Sequence, residues 1–166
     1  MDKMYENKWY NGFKNEEEPV MRQVFRNLKI RLTPICVDVG CDIGSTAIFF
    51  KQFGCRKVIG YDVDETVRNN ILPNSIDELH IGELTRGKLE EYMKKGYFLK
   101  FDCEGCEYNY FDKLMNYNNV LLCLHNTVED YGVKSYVLMF KGFVPIFHSK
   151  DWKEICYVHH SLIQLK

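Results

Sequence analysis

The sequence predicts an α/β fold. It is a doubly wound, mostly parallel sheet of seven strands or slightly fewer, with helices on both faces and an antiparallel hairpin at its C-terminal edge. Three observations predict it. Short β-prone runs alternate with stretches of helical spacing along most of the chain, which is the pattern of a parallel sheet covered on both sides. A glycine-containing turn, VDVGCDIGS at 37–45, lies where the first run gives way to a helical stretch. The last two β-prone runs have little chain between them, and only antiparallel strands accept so short a connection.

Residues 1–34 form an N-terminal segment ahead of a single domain at 35–166. Glu16, Glu17 and Glu18 precede Pro19, and Val20, Met21, Val24, Phe25, Leu28, Ile30 and Leu32 recur at helical spacing. Acids at the start and Arg22, Arg26 and Lys29 further along suit the helix dipole. An amphipathic helix of about 12–16 residues, packed on the domain that follows, is expected.

Pro34 leads into a strand at 35–39 that ends at Gly40. A helix follows Gly44 and closes at Gly54, and a second strand at 57–61 ends in Asp62. A short helix at 65–71, a weak third strand at 77–82 and a helix at 84–95 come next. A fourth strand at 97–101 ends at Asp102 and is followed by a helix to about residue 115. A fifth strand at 120–124 ends at His125, a helix covers 131–141, and closing strands occupy 143–148 and 155–165.

Composition narrows the function. The 166 residues fit one domain, and 46% hydrophobic with 27% charged residues is ordinary for a globular protein. Lys plus Arg number 22 and Asp plus Glu 23, for a net charge of −1, which argues against a nucleic-acid partner held by bulk charge. Uncharged runs fall short of the ~20 residues of a membrane span, and the charged N-terminus lacks the apolar core of a secretory signal. No membrane partner is expected. Seven cysteines, an odd number set mostly in apolar runs, read as free thiols in a reducing, cytoplasmic compartment.

The glycine turn carries the chemistry. Gly40 lets the chain leave the strand sharply and lets a ligand approach the backbone. Gly44 starts the helix close to the strand and leaves N–H groups for the ligand. Asp42 stands where a dinucleotide site has its middle glycine, and a carboxylate there repels a pyrophosphate. It suits a cationic ligand such as S-adenosylmethionine, which carries a sulfonium and an ammonium and no phosphate. Asp62 lies about 20 residues past the turn, the spacing at which a carboxylate accepts hydrogen bonds from ribose hydroxyls in a Rossmann-like fold. Asp64 is the alternative.

VDVGCDIGS, then VIGYDVD, then FLKFDCEGCEYNYFD resembles the FkbM-type branch of the class I S-adenosylmethionine-dependent methyltransferases. The third block is the most specific, with Lys100, Phe101, Asp102, Cys103, Glu104, Gly105, Cys106 and Glu107 matching the family pattern at nearly every position. The resemblance covers about residues 35–148. It implies S-adenosylmethionine as cofactor, held by Asp38, Gly40, Gly44 and Asp62; Cys41 and Asp42 of the same turn are further cofactor-binding candidates. It places Asp102, Glu104 and Glu107 on the floor between cofactor and acceptor. The implied reaction is methylation of a hydroxyl on a small-molecule or sugar-like acceptor. A nucleic-acid or protein acceptor, or a binding module that no longer transfers the methyl group, are the alternatives. The stretch between Asp62 and Tyr97 is short, so the residues that contact the adenine are hard to place. Ile76, Asp77 and Glu78 are the candidates.

Asp102, Glu104 and His125 are the catalytic candidates. His125 follows the apolar run VLLCL and should reach the top of the sheet, where a neutral imidazole acts as a base near neutral pH. It could equally hold a loop by a hydrogen bond, and Glu104 and Glu107 could anchor the next helix through its dipole. Asp102, His125 and Asn126 also resemble the metal-binding set of catechol-type O-methyltransferases, but a histidine does not suit magnesium, and no metal is assigned. CEGC at 103–106 reads as a CxxC with no second pair, so chance occupancy outweighs a redox or zinc role. His159 and His160 in one strand should face opposite sides. Trp9, Tyr10, Phe13, Trp152 and Tyr157 are core residues or part of an acceptor pocket. The acceptor pocket must come from the N-terminal 34 residues, the short loops, or a second subunit in a homodimer.

Overall fold

The computed structural model describes residues 18–149 and 153–164. Among these, β1 (Ile35–Val39), β2 (Lys57–Asp62), β3 (Glu78–Ile81), β4 (Phe98–Phe101) and β5 (Val120–His125) run parallel. The strands β6 (Phe143–His148) and β7 (Glu154–His159) complete one sheet in the order β3-β2-β1-β4-β5-β7-β6. The C-terminal hairpin is antiparallel as expected, but β7 inserts between β5 and β6, so β6 forms the edge.

The helices are α1 (Glu18–Asn27), α2 (Ser45–Gln52), α3 (Val67–Asn70), α4 (Arg86–Lys94), α5 (Phe111–Leu114) and α6 (Tyr131–Phe140). They cover a sheet whose central strands are apolar on both faces. Alternate residues of each strand point to opposite sides, so Val37, Val39, Leu99, Phe101, Leu122 and Leu124 enter one core with Leu89, Tyr92 and Leu138. Cys36, Val58, Phe98, Leu121 and Val158 enter the other with Met21, Phe25, Phe49 and Phe50. Phe25 of α1 meets the Phe49 and Phe53 rings edge-on, at 5.0 and 5.3 Å between centroids. Helix α1 thus seals the second face.

Several local expectations change. The first helix ends at Asn27, because Lys29 turns left-handed (φ 49°) and Ile30 N–H bonds back to Phe25. The expected helix after Asp102 is instead a turn, a 3₁₀ stretch at Cys106–Tyr110 and the single turn of α5. Glu104 and Gly105 both have positive φ, 52° and 122°, which no right-handed helix tolerates. The chain leaves β7 at His160 into a 3₁₀ turn at His160–Leu162. The His159 and His160 rings therefore sit 4.3 Å apart instead of on opposite faces. Tyr157 is buried in the core; Trp9, Tyr10, Phe13 and Trp152 lie outside the described residues. No helix among the described residues is long and apolar enough to cross a membrane.

The cysteines also differ from the free-thiol expectation. Cys103–Cys106 and Cys123–Cys156 are disulfides, while Cys36, Cys41 and Cys55 are free and buried. Cys123 and Cys156 are direct register partners on β5 and β7, a pairing that sequence spacing cannot reveal. Their bond closes a loop with a sequence separation of 33, which the chain-entropy model values at about 3–4 kcal/mol. Urea denaturation of a Cys123→Ala/Cys156→Ala variant, which leaves Cys103–Cys106 intact, is expected to show a loss of that size.

Candidate functional site

The sheet order reverses at β1, whose neighbours β2 and β4 carry the chain outward in opposite directions. Ligands bind in doubly wound sheets at the carboxyl ends of the strands beside such a switch point. A cavity of about 560 Å³ opens there. Gly40 shapes it at the end of β1. Its φ is +74°, and a Cβ at that position would lie 1.9 Å from the Asp102 carbonyl oxygen. Only glycine lets the β1 and β4 ends approach this closely.

Gly40, Cys41, Asp42, Asp62, Asp102, Glu104 and His125 all line the cavity. Asp38 and Gly44 do not. Asp38 is fully buried below it. The Gly44 N–H is bonded to the Cys41 carbonyl at 2.8 Å, and a Cβ on Gly44 would meet Ser75 Oγ at 2.3 Å. Gly44 therefore serves close packing of the turn, and its N–H is taken by the Cys41 carbonyl. Ile76, Asp77 and Glu78 sit at the amino end of β3, where Asp77 accepts the Val58 N–H at 2.7 Å. The carboxyl end of β3 brings Gly82, Glu83 and Leu84 to the cavity instead.

Asp62 ends β2 with its carboxylate fixed by two backbone donors, Asp42 N–H on Oδ2 at 2.9 Å and Asp64 N–H on Oδ1 at 3.0 Å. Asp42 reaches that bond in a left-handed conformation (φ 42°), and burial pushes its carboxyl above the usual range. Asp64 also lines the cavity, but its carboxylate accepts the Thr66 N–H at 2.8 Å. The Cys41 sulfur packs close to Gly60 of β2, and burial raises its thiol well above the ordinary value, so it stays neutral.

A chain of alternating charges runs beneath the other wall. Lys100, 3% exposed, lies 3.0 Å from Asp38 Oδ1 and 3.3 Å from Asp102 Oδ2, and it donates to the Gly40 carbonyl at 2.9 Å. Burial opposes its charge, but the Asp102 and Asp38 carboxylates outweigh that and hold its pKa above the ordinary lysine value. Asp102 Oδ1 faces His125 Nε2 at 3.4 Å. His125 Nδ1 meets Glu107 Oε1 at 3.0 Å, and the same oxygen accepts the His125 backbone N–H at 3.2 Å. Glu107 is fully buried, and its Oε2 accepts the Gly105 N–H at 2.9 Å.

This arrangement bears on the ionisation of His125. Burial alone would lower the His125 pKa, but the Glu107 hydrogen bond and the Asp102, Glu107 and Glu154 charges raise it to about 9. That direction favours the imidazolium form, in which the ring is a hydrogen-bond donor. Glu107 is fixed inside the fold, and Glu104 stands exposed at the rim. Sequence reasoning gave no role to Glu154, which lines the cavity and pairs in register with His125 across β5 and β7. Nothing local marks it. Only the strand pairing brings it in. In all, seven carboxylates line the cavity against Lys100 and His125. Such a wall favours a cationic ligand over a phosphate.

The fold is shared with solved structures. The PH0226 protein from Pyrococcus horikoshii OT3 matches over 95% of this chain and 93% of its own, with a TM-score of 0.54 at 11% identity. Precorrin-6y C5,15-methyltransferase from Geobacter metallireducens GS-15 matches over 84% and 86%, with a TM-score of 0.53 at 11% identity. The chain has a Rossmann-like methyltransferase fold. No family model matches the sequence. An uncharacterized protein, 158B, of Sulfolobus islandicus rod-shaped virus 1 is 32% identical over 97 residues. That match spans 55% of this chain and 61% of the viral protein.

Proposed function

We propose that this chain is an S-adenosylmethionine-dependent methyltransferase of the FkbM type that methylates a hydroxyl on a small or sugar-like molecule. The observation that carries this reading is the acid-lined cavity at the β1–β4 switch point, closed on the β2 side by Asp62. The resemblance of the Lys100–Glu107 block and the fold shared with the precorrin methyltransferase support it.

The residues fit that cofactor. Asp62 is held rigid by two amides and keeps further lone pairs for a ribose diol. Gly40 leaves the backbone open to close approach, and Asp42 adds a carboxylate for the cationic end. When bound, the cofactor supplies an electrophilic methyl group on a sulfonium. Asp102, Glu104 and His125 line the β4–β5 side, where the acceptor sits. His125 donates there and Asp102 accepts, so together they orient a hydroxyl. Alignment of this kind supplies much of the rate in a simple displacement.

Titration calorimetry tests the reading. S-adenosylhomocysteine is expected to bind one per chain, with NAD giving no heat under the same conditions. NAD binding in place of the nucleoside, or no binding of either, would overturn it.

A further inference from the structure

We propose that Asp102, His125 and Glu154 form a site for one divalent metal ion of the manganese or zinc type on the acceptor side of the cavity. The inference deepens the methyltransferase reading, on which its catalytic role rests, although its geometry stands alone. One carboxylate oxygen from Asp102, one from Glu154 and a ring nitrogen of His125 lie within 4.8 Å of one another. All three line the same cavity, so the remaining coordination positions face the space where a substrate enters. Three protein ligands with open positions is the pattern of a catalytic metal centre.

The sheet holds these ligands rigidly. Asp102 follows β4, His125 ends β5 and Glu154 begins β7, three neighbouring strands. His125 and Glu154 are direct register partners. Ligands on adjacent strand ends keep their spacing far better than ligands on loops.

The surrounding groups orient the ligands as metal sites do. Buried Glu107 holds the Nδ1 side of His125 at 3.0 Å, which turns Nε2 toward Asp102 and the cavity. A carboxylate behind a ligating histidine fixes the ring and raises its basicity. Lys100 takes Asp102 Oδ2 at 3.3 Å, leaving Oδ1 toward His125. The three side chains of the cluster offer nitrogen and oxygen donors. One imidazole with two carboxylates suits manganese or zinc better than a softer ion. An acceptor hydroxyl bound to such an ion loses its proton to solvent near neutral pH, as metal-bound water does.

The test uses the full chain, dialysed against a chelator and titrated with manganese chloride while the electron paramagnetic resonance signal of the free aqueous ion is followed. One ion per chain is expected. Glu154→Gln, nearly the same shape, and His125→Ala should each weaken binding at least about tenfold, and Glu107→Gln about 10–100-fold, the range for groups that support a ligand. S-adenosylhomocysteine binding, measured on the same samples, reports a folded cavity. Loss of manganese affinity with nucleoside binding kept supports the site. No uptake of manganese or zinc by the wild-type chain, or uptake unchanged in both Glu154→Gln and His125→Ala, overturns it and leaves the nucleoside result to judge the methyltransferase reading separately.

Discussion

Replacing Lys100 with methionine is expected to destabilise the chain by about 3–5 kcal/mol, the cost of removing one partner from a buried ion pair. Asp38 makes the effect large. It is fully buried, Oδ1 meets Lys100 at 3.0 Å, and Oδ2 has no hydrogen-bond partner among the described residues. Without Lys100 the carboxylate must be protonated or left uncompensated, and either outcome is costly. The same substitution frees the Gly40 carbonyl and the Asp102 carboxylate, so the cavity wall loosens with the core. Urea denaturation checks the size. The double variant Asp38→Asn/Lys100→Met should recover much of the loss, because it removes both charges together. A loss under about 1 kcal/mol for Lys100→Met alone would mean that Asp38 is already neutral in the fold.

Asp62→Ala is expected to lower the affinity for S-adenosylhomocysteine by about 100-fold or more. Two hydrogen bonds accepted by a charged carboxylate are worth about 1.5–3 kcal/mol each, and each 1.4 kcal/mol is tenfold in affinity. The variant also removes the acceptor for the Asp42 N–H, the contact that holds the left-handed turn at Asp42 toward the cavity. Asp62→Asn separates the two effects. Its remaining oxygen can keep one backbone bond, yet the carboxylate charge is gone. Calorimetry on both variants, with thermal melting as a fold check, gives the answer. An unchanged affinity in Asp62→Ala would transfer the ribose contact to Asp64.

Much of this molecule is legible in its sequence because the relevant physics is local. The alternation of β-prone and helical runs shows the layered sheet, since each strand near the centre is apolar on both faces. Gly40 announces a sharp strand exit, and Asp42 argues against a pyrophosphate ligand. Asp62 stands at the spacing of a ribose contact. Other residues of the motifs stand elsewhere than at the cavity wall. Gly44 and Asp38 sit in the motif, but one serves turn packing and the other lies beneath the floor. The helix expected after Asp102 is broken by Glu104 and Gly105, whose positive φ values a periodicity argument does not register.

What sequence alone determined is the layered α/β architecture, the glycine turn and the acids placed about it, because periodicity, turn chemistry and charge act between near neighbours. Tertiary structure alone decided which charges meet. Insertion of β7 between β5 and β6 sets Glu154 opposite His125 and bonds Cys123 to Cys156. The approach of β4 to β1 buries Lys100 between Asp38 and Asp102. Glu107, reaching back from the turn after β4, bonds His125 Nδ1 and raises its pKa. Ionisation depends on burial and on charges a few ångströms away, and those neighbours come from strands far apart in the chain.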